Sequence, residues 1–421
     1  MLLRFLAFLL LLALIDWYFF QSLKVLSSDW SEQKRSLAGA VYWTISFLSL
    51  ALFLLLIFSY SRPFLPRGFM MYAISFILVM ATSKLIGSLF LAIDDVGRFF
   101  RWVADLFGRS SLHAGSPGTT SISRATFLSY AAVLLAAIPF ASFLYGMVVT
   151  AVDFRVRRVK VHIPHLPAGF EGMRMVQISD IHCGSFVSDK PFRQAVELIM
   201  QEKPDMIVFT GDLVNDRALE AEPFIPIWQQ LQAPLGIYSI LGNHDYGDYV
   251  TWDSPEAKAA NLERVKEIHR EMNWDLLLNE HRIIERNGEK IGILGVENWG
   301  AALRFPKKGD LTKARKDLPA MPVNILLSHD PSHWDAQDVK EHPDIDLTLS
   351  GHTHGGQISI DFWGEKLSPA RLVYKQYAGL YSDNYQHLYI NRGFGTSGPP
   401  IRLGFNPEIT LLELRPTPPM V

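Results

Sequence analysis

Aspartate, histidine and asparagine recur in five short clusters in the second half of the chain. They are Asp180 and His182 in SDIH, Asp212 and Asn215 in TGDLVN, and Asn243, His244 and Asp245 in LGNHD, followed by His329 in SHDP and His352 with His354 in SGHTHGG. Carboxylate oxygen, imidazole nitrogen and an amide oxygen form a mixed donor set that suits manganese, iron or zinc, and no thiolate is needed. In extended backbone the side chains at i and i+2 point the same way, so Asp180 with His182, and His352 with His354, are each expected to aim two ligands at one small volume. Glycines at 211, 242, 351, 355 and 356 let the backbone turn sharply and approach an anion, phosphate being the obvious one. One such cluster alone is an ordinary turn or a satisfied polar contact. Five together read as a two-metal hydrolase site.

The elements that must position these residues are visible just ahead of them. Apolar, strand-like runs at 173–178, 206–209, 236–241, 323–327 and 345–349 each break where the polar residues begin. Strands that stop in one layer put their next residues on a common rim, where open α/β sheets bind ligands. Asn287-Gly288 signals a two-residue hairpin in a second β-rich layer, and residues 408–414 form a final strand.

In motif and order the five clusters resemble the calcineurin-like metallophosphoesterase family, whose pattern is D-x-H, G-D-x-x-[ND], G-N-H-[DE], a lone His, then G-H-x-H. The resemblance runs from Arg174 to Leu414 and implies an α/β fold, a four-layer αββα sandwich of two sheets with helices outside. It also implies roles. Asp180, His182 and His354 would hold a first divalent metal and Asn243, His329 and His352 a second, with Asp212 bridging. Manganese is the first expectation, iron or zinc the alternatives. Two cations about 3.5 to 4 Å apart lower the pKa of a shared water from about 15.7 towards 7, which supplies a hydroxide to attack phosphorus. His244 is the implied proton donor to the leaving group, a task that suits histidine as a residue type. Asn215 and Asp245 are turn formers as readily as ligands, and Asp330 and His333 are candidates to orient an imidazole. The membrane-anchored branch of the family carries a stretch like NRGFGTSGPPIR at 391–402. Arg392 is the expected phosphate contact beside Asn243 and His244, Arg402 the alternative, and a structural ion pair the competing reading.

Composition shows how this domain is held. Of 421 residues 49% are hydrophobic, and the excess lies before residue 153. Residues 1–152 are expected to be a transmembrane helical region with spans near 2–22, 39–60, 68–93 and 125–152. Two of these carry no charge and are long enough to cross about 30 Å of hydrocarbon. The first could instead be a signal peptide, but no small-residue cleavage pattern follows it. Asp16 reads as an interfacial anchor near a helix end, and Lys84 as a residue snorkelling to an interface. Residues 95–109 are expected to form an amphipathic interfacial helix, His113–Ser123 a flexible loop, 153–172 a linker and first strand, and 173–421 the catalytic domain.

Basic residues in the short flanks divide seven against seven, so the cluster DFRVRRVK after the last span decides the expected orientation, with the catalytic domain cytoplasmic on a bacterial inner membrane. The single cysteine, Cys183, says nothing of compartment, and a net charge of −2 gives no field for nucleic acid. The expected partners are therefore the lipid bilayer and a phosphate-containing substrate. Similar membrane-anchored proteins are assigned to UDP-2,3-diacylglucosamine pyrophosphate cleavage in lipid A assembly, which makes a lipid pyrophosphatase the sharpest expectation. A phosphodiesterase acting on a soluble substrate is the alternative within the class, and a metal-binding receptor or transporter the alternative outside it. Lys307, Lys308, Lys313 and Lys316 are a solvated run or a cap that meets headgroups.

Overall fold

A computed structural model of the chain contains two compact units, Met1–Tyr145 and Gly146–Val421. It describes residues 2–61, 65, 67–106, 123–301, 305, 307–338, 341–363 and 365–417, so the loop expected at 113–123 lies outside them except for Ser123.

The first unit is helical, with α1 (Leu2–Leu26), α2 (Glu32–Ser61), α3 (Arg67–Leu106) and α4 (Arg124–Val148). Among the described residues these four helices are long and apolar enough to cross a membrane. The separate interfacial helix expected at 95–109 does not exist as such, because α3 continues unbroken through Leu106, and Phe107 and Arg109 are outside the described residues. At 1.5 Å per residue its 40 residues span about 60 Å, roughly twice the hydrocarbon thickness. No proline interrupts it, and Arg98 pairs with Asp94 and Asp95 on its own surface.

Asp16 and Lys84, expected as an interfacial anchor and a snorkelling residue acting separately, are partners in the structure, between α1 and α3. Ser46 of α2 donates to Asp16 Oδ1 at 3.0 Å and receives from Lys84 Nζ at 2.9 Å, while the Tyr42 hydroxyl donates to the Asp16 carbonyl at 2.8 Å. Burial away from water makes an unpartnered polar group costly, and three helices share these four residues for that reason.

The second unit runs β1 (Arg155–Ile163), β2 (Arg174–Ile178), α5 (Lys190–Gln201), β3 (Met206–Phe209), α6 (Ile225–Trp228), β4 (Ile237–Ser239), α7 (Pro255–Glu271), β5 (Asp275–Leu276), β6 (Glu280–Arg286), β7 (Glu289–Gly295), α8 (Leu311–Ala314), β8 (Asn324–Leu327), β9 (Leu347–Ser350), β10 (Ile360–Phe362), β11 (Glu365–Leu367), β12 (Gly379–Asp383), β13 (Gln386–Ile390) and β14 (Glu408–Pro416). One sheet has the order β1-β14-β2-β3-β4-β5 and the other β12-β13-β9-β8-β7-β6, with β10-β11 a separate hairpin. Asn287 and Gly288, both at positive φ, join β6 to β7 in the expected turn.

Alternation along the strands makes the layers. Met206 and Val208 of β3 meet Ile325 and Leu327 of β8 in the core between the sheets, while Ile207 and Phe209 face α5, α6 and α7 on the outside. The outer face of the second sheet is thinner than an α layer, covered at Leu326 by the short α8 and at Leu388 and Ile390 by Trp334, which opens a π-helical turn. The basic cluster after the last span becomes β1, where Arg155, Arg157 and Arg158 pair with Asp153, Glu408 and Glu202. Carboxylates of the domain therefore partner three of the cluster's basic residues.

Candidate metal centre

Strands β2, β3 and β4 run parallel in one sheet, and β7, β8, β9 and β13 in the other. Their carboxyl ends meet along one edge, where Gln177 Nε2 of the first sheet donates to the Ser350 carbonyl of the second at 2.9 Å. All five clusters leave the sheets there. Extended backbone does not bring their side chains together, contrary to the i, i+2 expectation. The strands end before the ligands begin, and Asp180, His182, Asp212, His352 and His354 all have φ between 47° and 68°. Left-handed backbone at a non-glycine residue is strained and persists only where the surroundings hold it. At Asp212 the restraint is Asp245, whose buried carboxylate accepts from the backbone N–H of Asp212, Leu213 and Gly242 at 3.0, 2.9 and 2.9 Å. Gly242 lies so close to Asp212 that a Cβ would meet Oδ1 at 2.2 Å.

These turns sort the ligands into two groups. Asp180, His182 and His354 converge in one, Asp212, His329 and His352 in the other, and His182 and Asp212 also come together with His244. His352 and His354 therefore separate instead of sharing one volume. Asp212 Oδ2 reaches one member of each group, 3.5 Å from His182 Nε2 and 3.1 Å from His329 Nε2. Within the groups, His182 Nε2 faces His354 Nε2 at 3.1 Å and His352 Nδ1 faces His329 Nε2 at 3.3 Å. Donors about 2.1 Å from one cation stand roughly 3.0 to 3.4 Å apart in octahedral or tetrahedral coordination, so these separations fit a shared ion.

Second contacts choose the nitrogen each ring presents. His329 Nδ1 donates to the Thr210 carbonyl at 2.7 Å, which leaves Nε2 for the site, and His352 Nε2 is bonded to the Tyr374 hydroxyl at 2.7 Å, which leaves Nδ1. Asn243 Oδ1 is buried without a hydrogen-bond partner, while its Nδ2 donates to the Tyr249 hydroxyl at 2.8 Å. An acceptor left unpaired on the wall of the site is what a cation requires.

The acidities agree. Burial pushes His182 down to about 3 and His352 to about 4, and depresses His354 well below its usual range, so their lone pairs stay free. His329 differs. Burial opposes its charge, but Asp212 overrides this and raises it to about 10. The protein thus places one positive charge against Asp212, where a ligated cation would replace the proton.

A cavity of about 440 Å³ opens onto Asp212, Asn243, His244, His352 and His354. His244 Nδ1 donates to the Asn215 carbonyl at 2.7 Å, and its backbone N–H to Asp212 Oδ1 at 2.8 Å. Its Nε2 lies 3.5 Å from Ser397 Oγ on the cavity wall. Tyr249, Phe305, Pro369, Ala370, Val373 and Tyr374 give the rest of the wall an aromatic and apolar character.

Other expected residues fall elsewhere. Arg392 does not line the cavity: it is paired with Glu408, which also takes Arg157, so the structural ion pair replaces the expected phosphate contact. Arg402 is fully buried, donating to the Arg392 carbonyl at 2.9 Å and to that of Gly393 at 3.0 Å, with Nη2 3.3 Å from His354 Nδ1. Asn215 contributes its carbonyl and Asp245 its latch. Asp330 Oδ2 stands 3.6 Å from His352 Nε2, whereas His333 bonds Ser328 and Gln337 away from the ligands. Lys307 and Lys308 lie over the rings of Trp299 and Tyr246 instead of entering the cavity. Tyr249 and Tyr374 were missed, because each sits in a loop without motif or period.

Two family models match the chain: "Probable Calcineurin-like phosphoesterase, transmembrane domain" over residues 3–151 and "Calcineurin-like phosphoesterase" over residues 173–356. An uncharacterized metallophosphoesterase of Bacillus subtilis is 33% identical over 60% of this chain and 82% of its own length. A transmembrane protein with metallophosphoesterase domain from Danio rerio is 31% identical over 64% of this chain, which spans only 60% of that relative. The UDP-2,3-diacylglucosamine pyrophosphatase LpxG of Chlamydia trachomatis is 30% identical over 62% of this chain and 88% of its own.

Proposed function

The chain belongs to the calcineurin-like phosphoesterase family, hydrolases acting on phosphate esters, and from that premise we propose that it cleaves a phosphodiester or pyrophosphate bond in a membrane lipid, UDP-2,3-diacylglucosamine being the sharpest candidate. The observation that carries the chemistry is that Asp212 Oδ2 reaches one member of each ligand group, at 3.5 and 3.1 Å. Asp180, His182 and His354 would hold one divalent cation, Asn243, His329 and His352 the other, and Asp212 both. The oxygen and nitrogen donors favour manganese, with iron or zinc the alternatives. Held by these residues, two cations would supply positive charge for the phosphoryl oxygens and would acidify a water at neutral pH.

The chain's own residues do the rest. The Asn215 carbonyl fixes His244 by Nδ1, which leaves Nε2 at the cavity to give a proton to the leaving oxygen. The bond from His244 N–H to Asp212 Oδ1 keeps this donor in register with the bridging carboxylate. Tyr249 orients Asn243. Phe305, Pro369, Ala370 and Val373 offer the apolar wall that a lipid substrate would use, and the last candidate span ends at Val152, immediately before the catalytic unit's first strand.

Detergent-purified chain with manganese tests this by release of the lipid monophosphate from UDP-2,3-diacylglucosamine, against hydrolysis of bis-p-nitrophenyl phosphate. The lipid nucleotide should be the faster substrate. His244→Ala should slow it by about 10² to 10⁴-fold with both metals retained. Turnover of the small diester alone would leave a phosphodiesterase for a soluble substrate, and loss of metal from the variant would remove the proton-donor role.

A further inference from the structure

Beside the cavity the chain makes a surface poorly suited to water. Strands β10 and β11 pair only with each other, Ile360 opposite Leu367 and Phe362 opposite Glu365, and every residue of β10 is exposed. A two-stranded hairpin with no third strand is marginal in water. The turn that joins the strands opens with Trp363, which is 94% exposed and held at φ 55°. Such turns favour asparagine, aspartate or glycine, and a bulky side chain at positive φ is strained. Leu372, the last residue of the following helical turn, is 90% exposed. Large apolar side chains gathered in this way mark an interaction surface.

The hairpin's attachment indicates the partner. Lys366 Nζ donates to the Gly404 carbonyl at 2.9 Å, and two residues on, Asn406 Nδ2 donates to Asp153 Oδ2 at 2.9 Å. Asp153 directly follows the last candidate span, which ends at Val152. The exposed hairpin is thus tied, within the catalytic unit, to the residue at which the chain leaves the membrane. Tryptophan favours the level of the lipid headgroups, and phenylalanine and leucine bury at the boundary with the acyl chains. The other end of the same segment faces the chemistry, for Pro369, Ala370 and Val373 line the catalytic cavity.

We propose that the 360–373 segment is a membrane-docking surface, seated in the headgroup layer of the bilayer through Ile360, Phe362, Trp363 and Leu372, and that it leads a lipid substrate's acyl chains along Val373 into the cavity. The path rests on the lipid-substrate reading above; the docking rests only on the membrane anchorage of the chain.

Two measurements on the full chain in proteoliposomes test it. In the first, Trp363→Cys is labelled with the fluorophore NBD, the chain's only other cysteine, Cys183, being buried. Emission should shift to the blue and be quenched by lipids spin-labelled near the headgroup. Emission of a water-exposed label, or a label shielded by protein and unaffected by spin-labelled lipid, would overturn the docking. In the second, Trp363→Ser with Leu372→Ser should lower turnover of vesicle-borne UDP-2,3-diacylglucosamine at least tenfold and leave hydrolysis of bis-p-nitrophenyl phosphate unchanged. Equal loss on both substrates, or loss on neither, would overturn the path. Wild-type chain that turns over only the small diester in the same vesicles would refute the lipid-substrate reading and the path with it, while a lipid-quenched label would still uphold the docking.

Discussion

The helical unit and the catalytic unit each bury a polar cluster, and the two clusters are balanced in opposite ways. Around Asp16, donors and acceptors match: Lys84, Ser46 and Tyr42 surround the carboxylate and its own carbonyl, and the charges cancel. Around Asp212 they do not match: only His329 brings a positive charge to the carboxylate, His182 Nε2 faces His354 Nε2, and the Asn243 oxygen is unpaired. A closed cluster joins helices, whereas one short of positive charge is built for a ligand. Balance of hydrogens, more than burial or charge alone, separates a structural polar cluster from a site.

The comparison is broken most severely at its centre. Asp212→Asn keeps the volume and removes the charge common to both groups, so turnover should fall by more than about 10⁴-fold and metal content from two ions to one or none, by elemental analysis. In the helical unit, Lys84→Met leaves the Asp16 carboxylate unpaired and should cost about 3 kcal/mol in reversible unfolding in mixed micelles. Adding Asp16→Leu should restore most of that stability without touching turnover; a double variant as unstable as the single one would show that the cluster is more than a closed pair. Tyr374→Phe removes the bond that orients His352 and should weaken metal affinity by about 10 to 100-fold in chelator competition.

A further effect concerns a titratable group outside both clusters. Burial lowers His269, packed by Phe209 and Trp274, to about 3 from an ordinary 6.5. Between those values the unfolded chain binds a proton that the folded one does not, so stability present above pH 6.5 is lost as pH falls towards 3. The slope is about 1.4 kcal/mol per pH unit for one proton. His269→Gln, which retains a hydrogen-bonding side chain for Ser239 without the titration, should flatten the fall of the melting temperature across that window.

The strands were legible because an apolar run ending in polar residues is a local pattern, and β3 begins and ends at Met206 and Phe209 as the run does. So was the gathering of Asp180, Asp212, Asn243, His329 and His354 at one edge, since parallel strands deliver the residues after them to a common rim. Local pattern failed where distant chain decides. Nothing near Arg392 announces Glu408 as its partner, and nothing near His352 announces Tyr374. Periodicity misled at 95–109, where an amphipathic stretch is simply the extension of α3. The membrane contact sought among lysines at 307–316 has a better candidate in exposed aromatic and aliphatic side chains at 360–373, whose exposure no composition could reveal.

Five of the seven candidate ligands lie in left-handed backbone, which gives the centre a mechanical character beyond its chemistry. Each such residue stores of the order of 1 to 2 kcal/mol, so the ligand turns act as a set of loaded springs, the one at 212 restrained by the Asp245 latch and all of them, with metal bound, by the ions they would hold. Chelation would remove one restraint and leave the springs. The turns at 180–182, 212 and 352–354 should then be the first backbone to open, gaining amide exchange while the strands behind them stay protected. The rim, unlike the sheets, would be folded only on condition that it is loaded.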